Sequence, residues 1–286
     1  MTSTEGGRGL LMVSPPFFYA LALLAMPLGA IFMFSFWTQD FVTLDTTFTL
    51  NNYREILEKP IYGALLKRSL YVSGCVTAVT VLLAFPVAYF VSFHVRPERK
   101  SLWLFLITIP FWTSYLIRVF LWKVILGYNG VVNTGLLNIG LIDEPLTFIL
   151  YNVNAVIITL AHAFAPFAIL PIFVALEKID RSLLEAAQDL GESKFMTFIR
   201  ITLPLSMPGL VAAVLIVFIP TIGDYVTPEL MGGAGGKLIA NMIQTQFLAL
   251  NNAPLGAALA IVAMLCVTAI SLGFVLLNRR WLRGRG

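Results

Sequence analysis

Residues 185–204, with the sequence EAAQDLGESKFMTFIRITLP, form a charged stretch in an otherwise apolar chain. Long apolar runs flank this stretch on both sides, at about 155–176 and 206–228. A charged segment between two such runs emerges at a membrane surface, where another protein can reach it. The stretch therefore predicts a surface element that docks with a partner protein.

The composition places the chain in a lipid bilayer. Of its 286 residues, 58% are hydrophobic and only 12% are charged, which is too apolar for an ordinary water-soluble core. Crossing the hydrocarbon takes a helix of about 20 apolar residues. Such runs lie at about 11–37, 69–93, 102–126, 155–176, 206–228 and 255–277. The sequence thus predicts an all-α integral membrane protein with six transmembrane helices in a single domain, 1–286.

The basic residues predict the orientation. An even number of spans leaves both termini on one side, and Lys and Arg concentrate in cytoplasmic loops. With a cytoplasmic N-terminus, the inner segments hold Arg8, Arg96, Arg99, Lys100, Lys178, Arg181, Lys194, Arg200, Arg279, Arg280, Arg283 and Arg285. The outer loops hold Arg54, Lys59, Lys67, Arg68 and Lys237. The net charge of +4 therefore reflects membrane orientation and gives no reason to expect nucleic-acid binding.

The inner loop at 177–205 predicts two short helices. Ser182 and Glu185 have the spacing of a capping box, which begins a helix, and Gly191 supplies the left-handed residue that ends one. Ser193 caps a second helix, and Leu203-Pro204 leads into the fifth span. The first helix carries its apolar residues on one face, at Leu183, Leu184, Ala187 and Leu190. Such a helix docks into a protein groove or lies on lipid headgroups, and its spacing allows both.

Three charges fall inside the predicted spans, Arg118, Lys123 and Asp224, and Arg118 and Asp224 stand out among them. A charge within the membrane is costly unless it is paired or hydrated, so each residue indicates a functional or structural role. One hypothesis is an ion pair between them that fixes the third and fifth helices in register. The other is a pathway for an organic cation, lined by Trp112, Tyr115, Asp224, Tyr225 and Glu229 through carboxylate attraction and cation–π contact.

Motifs of membrane-embedded enzymes are missing from the sequence. His94 and His162 are its only histidines, and neither belongs to an HExxH motif or accompanies a nucleophile motif, so we expect no catalytic or metal site. Residues 232–238, GGAGGKL, come closest to a phosphate-binding loop. They fail because Met231 replaces the first glycine and Leu238 replaces the Mg²⁺-binding hydroxyl. Residues 232–238 are therefore interpreted as a flexible outer loop. For the chain as a whole, a passive channel remains the alternative to a driven transporter.

The spacing of the 185–204 stretch resembles the EAA loop of bacterial ABC importer permeases of the type I, MetI-like class. The matching positions are Glu185, Ala186, Ala187, Gly191, Leu203 and Pro204. This resemblance implies a MetI-like permease fold in which these residues form a cytoplasmic coupling helix that docks on an ATPase.

The same resemblance implies the partners. They are two copies of an ABC ATPase that uses ATP and Mg²⁺, a second permease that is expected to be a different chain, a periplasmic substrate-binding protein and the lipid bilayer. This chain would bind no cofactor itself and would lie in the bacterial inner membrane.

Other segments resemble the spermidine/putrescine subfamily of these permeases. They are Phe111-Trp112-Thr113-Ser114 through Arg118, Asp143-Glu144-Pro145-Leu146-Thr147, residues 223–233, Gln246-Phe247 and Pro254-Leu255-Gly256. Ala253 departs from the pattern, because the subfamily usually has Trp before this proline. The resemblance implies polyamine import, with opines or other amino compounds as the alternative substrates.

Overall fold

A computed structural model describes residues 5–40 and 43–282, which fall into two compact units. The first unit lies within 1–63 and 242–264, and the second within 64–241 and 265–286. Arg283 and Arg285, which contributed to the predicted orientation, lie outside the described residues. The assignment of a single domain to the whole chain stays a prediction.

The first unit begins with helix α1 (Glu5–Phe34), whose apolar stretch from Gly9 is exposed. A short antiparallel pair follows, β1 (Thr38–Asp40) and β2 (Thr43–Asp45), with Thr38 opposite Asp45. Helix α2 (Asn51–Glu58) then packs back on the end of α1. The Asn52 side chain donates hydrogen bonds to the carbonyls of Ser35 (2.9 Å) and Trp37 (2.7 Å). These bonds satisfy carbonyls that the end of α1 leaves without helical partners.

The candidate sites lie on helices that follow α2. Their bounds are α3 (Pro60–Phe93), α4 (Pro97–Thr108), α5 (Tyr115–Ile125), α6 (Val131–Asn138), α7 (Val153–Glu177), α8 (Arg181–Asp189), α9 (Lys194–Thr197), α10 (Leu203–Ile222), α11 (Val226–Met231), α12 (Ile239–Leu248), α13 (Ala253–Leu277) and α14 (Arg279–Leu282). Single 3₁₀ turns lie at Ile109–Trp112 and Thr147–Ile149, and a π-helical turn lies at Phe198–Thr202. The boundary between the two units falls within α3, α12 and α13.

The core of the second unit is built on the contact between α7 and α10. A Cβ placed on Gly209 of α10 would lie 2.5 Å from both the Ala175 Cβ and the Pro171 carbonyl of α7, so only glycine allows the two backbones to approach this closely. Fully buried side chains fill the surrounding core, among them Leu160, Ile172, Leu176 and Val217.

The prediction of apolar membrane spans agrees with the structure in number. Five helices of the described residues are long and apolar enough to cross a membrane, and a sixth span results if one bent helix pair is counted together. The all-α fold is confirmed. The second span is longer than predicted, because α3 begins at Pro60 and so takes Lys67 and Arg68 into the helix.

The third span is not the single helix predicted for 102–126. The helical segment Pro97–Trp112 ends, and α5 starts at Tyr115 with an 89° change of direction. Thr113 and Ser114 are both extended, with ψ of 148° and 136°. The Thr113 hydroxyl donates to the Pro110 carbonyl (2.8 Å), a local bond that competes with continued helix. Hydropathy detects the apolar run but not this break in the backbone.

The fifth span also differs from the predicted 206–228. It runs without interruption from Lys194 to Ile222. Pro204 cannot donate to the carbonyl four residues before it, and the π turn at Phe198–Thr202 accommodates this missing bond. At the other end α10 stops before Gly223, so Asp224 and Tyr225 lie in a break between α10 and α11.

Candidate functional site

A polar cluster joins α5 to the break between α10 and α11. The Tyr115 hydroxyl donates to Asp224 Oδ2 (2.8 Å), and Thr227 Oγ1 lies 2.6 Å from the same hydroxyl. The Asp224 carboxylate also accepts the backbone N–H groups of Val226 (3.2 Å) and Thr227 (3.4 Å). Asp224 therefore caps the start of α11 and binds Tyr115 at the same time. Within the described residues, no Lys or Arg nitrogen lies within 4.0 Å of this carboxylate.

The direct ion pair between Arg118 and Asp224, one of the two hypotheses from sequence, does not form. Both residues instead contact Tyr115, whose ring centroid is 5.8 Å from Arg118 Cζ. The guanidinium also lies 5.3 Å from the Phe111 ring. Its Nε and Nη1 atoms are buried without a hydrogen-bond partner. Two aromatic rings, those of Phe111 and Tyr115, thus lie beside this charge in cation–π contact.

Glu229 belongs to a second polar group beside this cluster. Its Oε2 accepts from the Asn241 side chain (3.2 Å) and lies 3.7 Å from Lys237 Nζ. The Asn241 amide also donates to the Tyr225 carbonyl (2.9 Å), which connects the start of α12 to the α10–α11 break. Both Glu229 and Lys237 are about half exposed, so their ion pair is weak.

Trp112 lies apart from these polar groups. Its ring packs against Phe105 with a centroid separation of 6.1 Å, and the residue is 78% exposed. Of the five residues predicted to line a pathway, the structure brings Tyr115 and Asp224 into direct contact. Tyr225 and Glu229 follow closely along the chain, whereas Trp112 points out of the polar cluster.

The glycine-rich segment after α11 is a tight turn rather than the open flexible loop expected from sequence. A Cβ on Gly232 would lie 2.6 Å from the Pro228 carbonyl, and one on Gly236 would lie 2.3 Å from the Gly232 carbonyl. Gly233 has φ of +59°, and a Cβ there would lie 2.4 Å from the Tyr151 carbonyl. The glycines are required by close backbone packing.

The second candidate site is the segment from α8 to the start of α10, called here the docking segment (residues 181–204). Helix α8 is capped by Asp180, whose Oδ1 accepts the Ser182 N–H (3.0 Å). The capping box predicted at Ser182 and Glu185 is therefore wrong, since the helix has already begun at Arg181. The same hydrogen bond from Ser182 lowers the pKa of the Asp180 carboxyl.

The end of α8 agrees with the predicted role of Gly191. This residue has φ of +89°, its N–H donates to the Gln188 carbonyl (2.9 Å), and the Glu192 N–H donates to Ala187 (3.0 Å). These two bonds form a Schellman motif. Ser193 then caps α9 by accepting the Met196 N–H (3.2 Å), as predicted. An ion pair between Glu192 and Arg200 closes the turn.

The apolar side chains of the docking segment are largely uncovered. Leu190 is 86% exposed and Phe195 is 72% exposed, while Ala187 is buried. Glu185, Ala186 and Gly191 are all exposed. An amphipathic helix that its own chain leaves uncovered is suited to contact a lipid surface or a partner protein.

Several residues with clear structural roles in these sites escaped the sequence analysis. Thr227 and Asn241 are buried polar residues in short helices. The signal in the sequence that could have identified them was a polar residue within an apolar run. The contacts of Glu177 with Lys100 bridge 77 residues of sequence, a separation that no local pattern reports.

The fold and these sites define a class of protein. Long apolar helices, polar clusters at breaks in two of them and an uncovered amphipathic segment are typical of a membrane transport component. Residues 80–283 match the family described as the inner membrane component of binding-protein-dependent transport systems. The chain belongs to this family, so it is a multi-pass inner membrane permease and not an enzyme.

Relatives in the same family are similar over most of the chain. The spermidine/putrescine transport system permease protein PotB of Escherichia coli K12 is 42% identical over 228 residues, 79% of this chain and 82% of that protein. PotB of Haemophilus influenzae is 41% identical over 74% of this chain and 73% of its own length. The inner membrane ABC transporter permease protein YdcU of Escherichia coli K12 is 31% identical over 94% of this chain and 88% of that protein.

Solved structures support the fold. A bacterial alginate ABC transporter, in complex with an alginate pentasaccharide-bound periplasmic protein, aligns with a TM-score of 0.73 at 19% identity. The alignment covers 96% of this chain and 94% of that one. The MetI-like fold predicted from sequence is thus confirmed.

Proposed function

We propose that this chain is the permease subunit of an ATP-driven importer that moves polyamines such as putrescine and spermidine into the cytoplasm. The observation that carries the proposal is the 42% identity to PotB over 79% of this chain. Identity at this level is spread over most of both proteins. The substrate is therefore expected to be a small organic cation.

The polar cluster has chemistry that suits such a cation. The Asp224 carboxylate accepts neutral donors from Tyr115 and the α11 backbone, so its negative charge is oriented but not cancelled by a Lys or Arg within 4.0 Å in the described residues. Glu229 adds a second carboxylate nearby in the chain. An alkylammonium group can exchange its hydration shell for these carboxylates and for the faces of Tyr115 and Tyr225.

The proposed energy source is a separate ATPase that binds the docking segment. Uncovered apolar side chains at Leu190 and Phe195 would enter a groove on that subunit, and Glu185 offers a charge to a basic group there. The contact set proposed from the family resemblance is Glu185, Ala186, Ala187, Gly191, Leu203 and Pro204. ATP and Mg²⁺ would bind to the ATPase and not to this chain.

The full importer proposed here contains two ATPase copies, a second permease of a different sequence and a periplasmic substrate-binding protein. Both termini and the docking segment would face the cytoplasm. Closing of the ATPases would then move the docking segment and switch the membrane helices between outward-open and inward-open states. The breaks at Thr113–Ser114 and Gly223–Tyr225 are positions where the backbone can absorb such a change.

Uptake into proteoliposomes that contain the complete importer tests the proposed substrate. Labelled putrescine and spermidine should accumulate with ATP, and an excess of either unlabelled polyamine should compete. Ala253, which stands where the polyamine subfamily usually has Trp, leaves opines or other amino compounds as the second candidate class, so labelled opines belong in the same experiment. Uptake of opines without competition by polyamines would reject the polyamine assignment in favour of this class.

A further inference from the structure

Glu177, the last residue of α7, forms an ion pair with Lys100 near the start of α4. Lys100 Nζ lies 2.6 Å from its Oε1 and 2.8 Å from its Oε2, and the lysine side chain is only 17% exposed. The Ser92 hydroxyl near the end of α3 also donates to Oε2 (3.3 Å). One carboxylate thus joins the ends of three membrane helices.

Arg181 extends this contact to the docking segment. It is the first residue of α8, and its Nη2 donates to the Ser92 carbonyl (3.0 Å) and lies 3.8 Å from Glu177 Oε1. Its guanidinium also stacks on Phe93, 3.8 Å from the ring centroid. Ser92, Lys100, Glu177 and Arg181 are called here the Glu177 network.

The network is unusual among the ion pairs of this chain. Across residues 5–40 and 43–282, the ion pair of Lys100 with Glu177 joins positions 77 apart, whereas every other one joins positions at most eight apart. Helix α4 has no buried residue along its length. Leu104 and Ile107 of α4 pack against the core, and this sheltered ion pair adds a polar tie that joins the start of α4 to α7 and, through Arg181, to α8.

The position of α4 gives this tie a consequence. Helix α4 continues through the 3₁₀ turn to the break at Thr113–Ser114, and α5 beyond it carries Tyr115 of the polar cluster. Without the tie, α4 would be held by its apolar packing on the core and by the chain. With it, a displacement of α8 is also transmitted to the start of α4 through Arg181 and Glu177.

We propose that Glu177 is a positioning residue that transmits movement of the docking segment to α4 and so to the broken third span. The inference rests on the proposed docking of an ATPase on this segment. Glu177 itself lies outside both the docking segment and the polar cluster.

The test uses Glu177→Gln in the complete importer, reconstituted in proteoliposomes. Loss of the ion pair should lower ATP-driven uptake about five- to tenfold, as expected for a coupling free energy of ordinary size. ATP hydrolysis and co-purification of the ATPase should stay within about twofold of wild type. Glu55→Gln is the matched control, because it removes an ion pair between α2 and the next residue of the chain, Lys59, and its uptake should not change.

A charge exchange separates positioning from a general loss of folding. Lys100→Glu combined with Glu177→Lys restores the pair in reverse but sets a cation beside Arg181, so uptake should recover at least about twofold relative to Lys100→Glu alone. Failure of this double variant to recover uptake, wild-type uptake by Glu177→Gln, or loss of ATPase co-purification from Glu177→Gln would each overturn the inference. Glu185→Arg tests the docking itself, and its co-purification with the ATPase should fall even if Glu177 has no role.

Discussion

The Tyr115 hydroxyl donates a 2.8 Å hydrogen bond to Asp224, and this bond joins a helix of the broken third span to the end of the fifth. Both residues lie at positions where a long apolar helix is interrupted. The carboxylate is therefore oriented by a neutral hydrogen-bond donor. This arrangement serves as a structural link and, in the proposed function, would also attract the cationic substrate.

Removing the hydroxyl tests the structural part of this contact. Tyr115→Phe should lower stability by about 0.6 to 1 kcal/mol, since it deletes the hydrogen bonds to Asp224 and Thr227 and keeps the ring. Thermal unfolding of the purified complex in detergent measures the change. Tyr128→Phe is the control on an exposed tyrosine, and equal melting temperatures for the two variants would show that the hydroxyl contributes nothing.

Neutralising Asp224 tests its charge. Asp224→Asn keeps one acceptor oxygen, which suffices for the Tyr115 hydroxyl and the Thr227 N–H that share Oδ2, and loses the acceptor for the Val226 N–H. It also removes the attraction for a cation, so uptake of polyamines should fall about tenfold, equivalent to about 1.4 kcal/mol. Labelled spermidine uptake at equal permease content measures the effect. The control is Asp143→Asn on an exposed residue, which should leave uptake unchanged. Unaltered uptake by Asp224→Asn would confine this residue to a structural role.

Gly191→Ala tests the geometry of the docking segment. Because φ is +89° and no atom lies within 4 Å of the added Cβ, the expected cost is backbone strain of about 1 kcal/mol and not a clash. Strain of this size should lower ATP-driven uptake about two- to fivefold. Gly135→Ala is the matched control, because nothing lies within 4 Å of the added Cβ and Gly135 has a helical backbone. This variant should transport normally. Equal uptake by the two variants would contradict a role for the Gly191 turn.

Gly209→Ala tests the close approach of α7 and α10. The new methyl group would lie 2.5 Å from the Ala175 Cβ and the Pro171 carbonyl, so the helices must separate at a cost of about 1 to 3 kcal/mol. Thermal unfolding should show the loss. Gly74→Ala adds the same methyl group on α3, where nothing lies within 4 Å, and should not lower stability. An unchanged melting temperature for Gly209→Ala would mean that the two helices are not in this contact.

Local signals in the sequence were sufficient for some of these features. Gly191 and Ser193 act within four residues of themselves, so turn and capping chemistry predicted their roles correctly. The cap of α8 was misplaced because Asp180 accepts the Ser182 N–H before the capping box can begin the helix. Apolar composition located the spans, but the break at Thr113–Ser114 depends on backbone angles that hydropathy does not report.

Contacts between distant residues account for most of what the sequence missed. The place of Arg118 and Asp224 inside apolar spans suggested an ion pair between them, whereas Tyr115 binds Asp224 and aromatic rings lie beside the guanidinium. The sequence analysis assigned Lys100 to an inner loop and gave Glu177 no role, yet the two side chains form an ion pair across 77 residues. Such pairs follow from how helices pack, which a single sequence does not specify.

The most direct test of ATP-driven import through the docking segment is the amount of spermidine taken up per ATP hydrolysed. It is measured in proteoliposomes that contain the complete importer with either the wild-type chain or Glu185→Arg. The wild-type importer should accumulate spermidine only with ATP, and Glu185→Arg should lose this accumulation together with bound ATPase. Equal accumulation by both, or none that depends on ATP in the wild type, would contradict the proposed function.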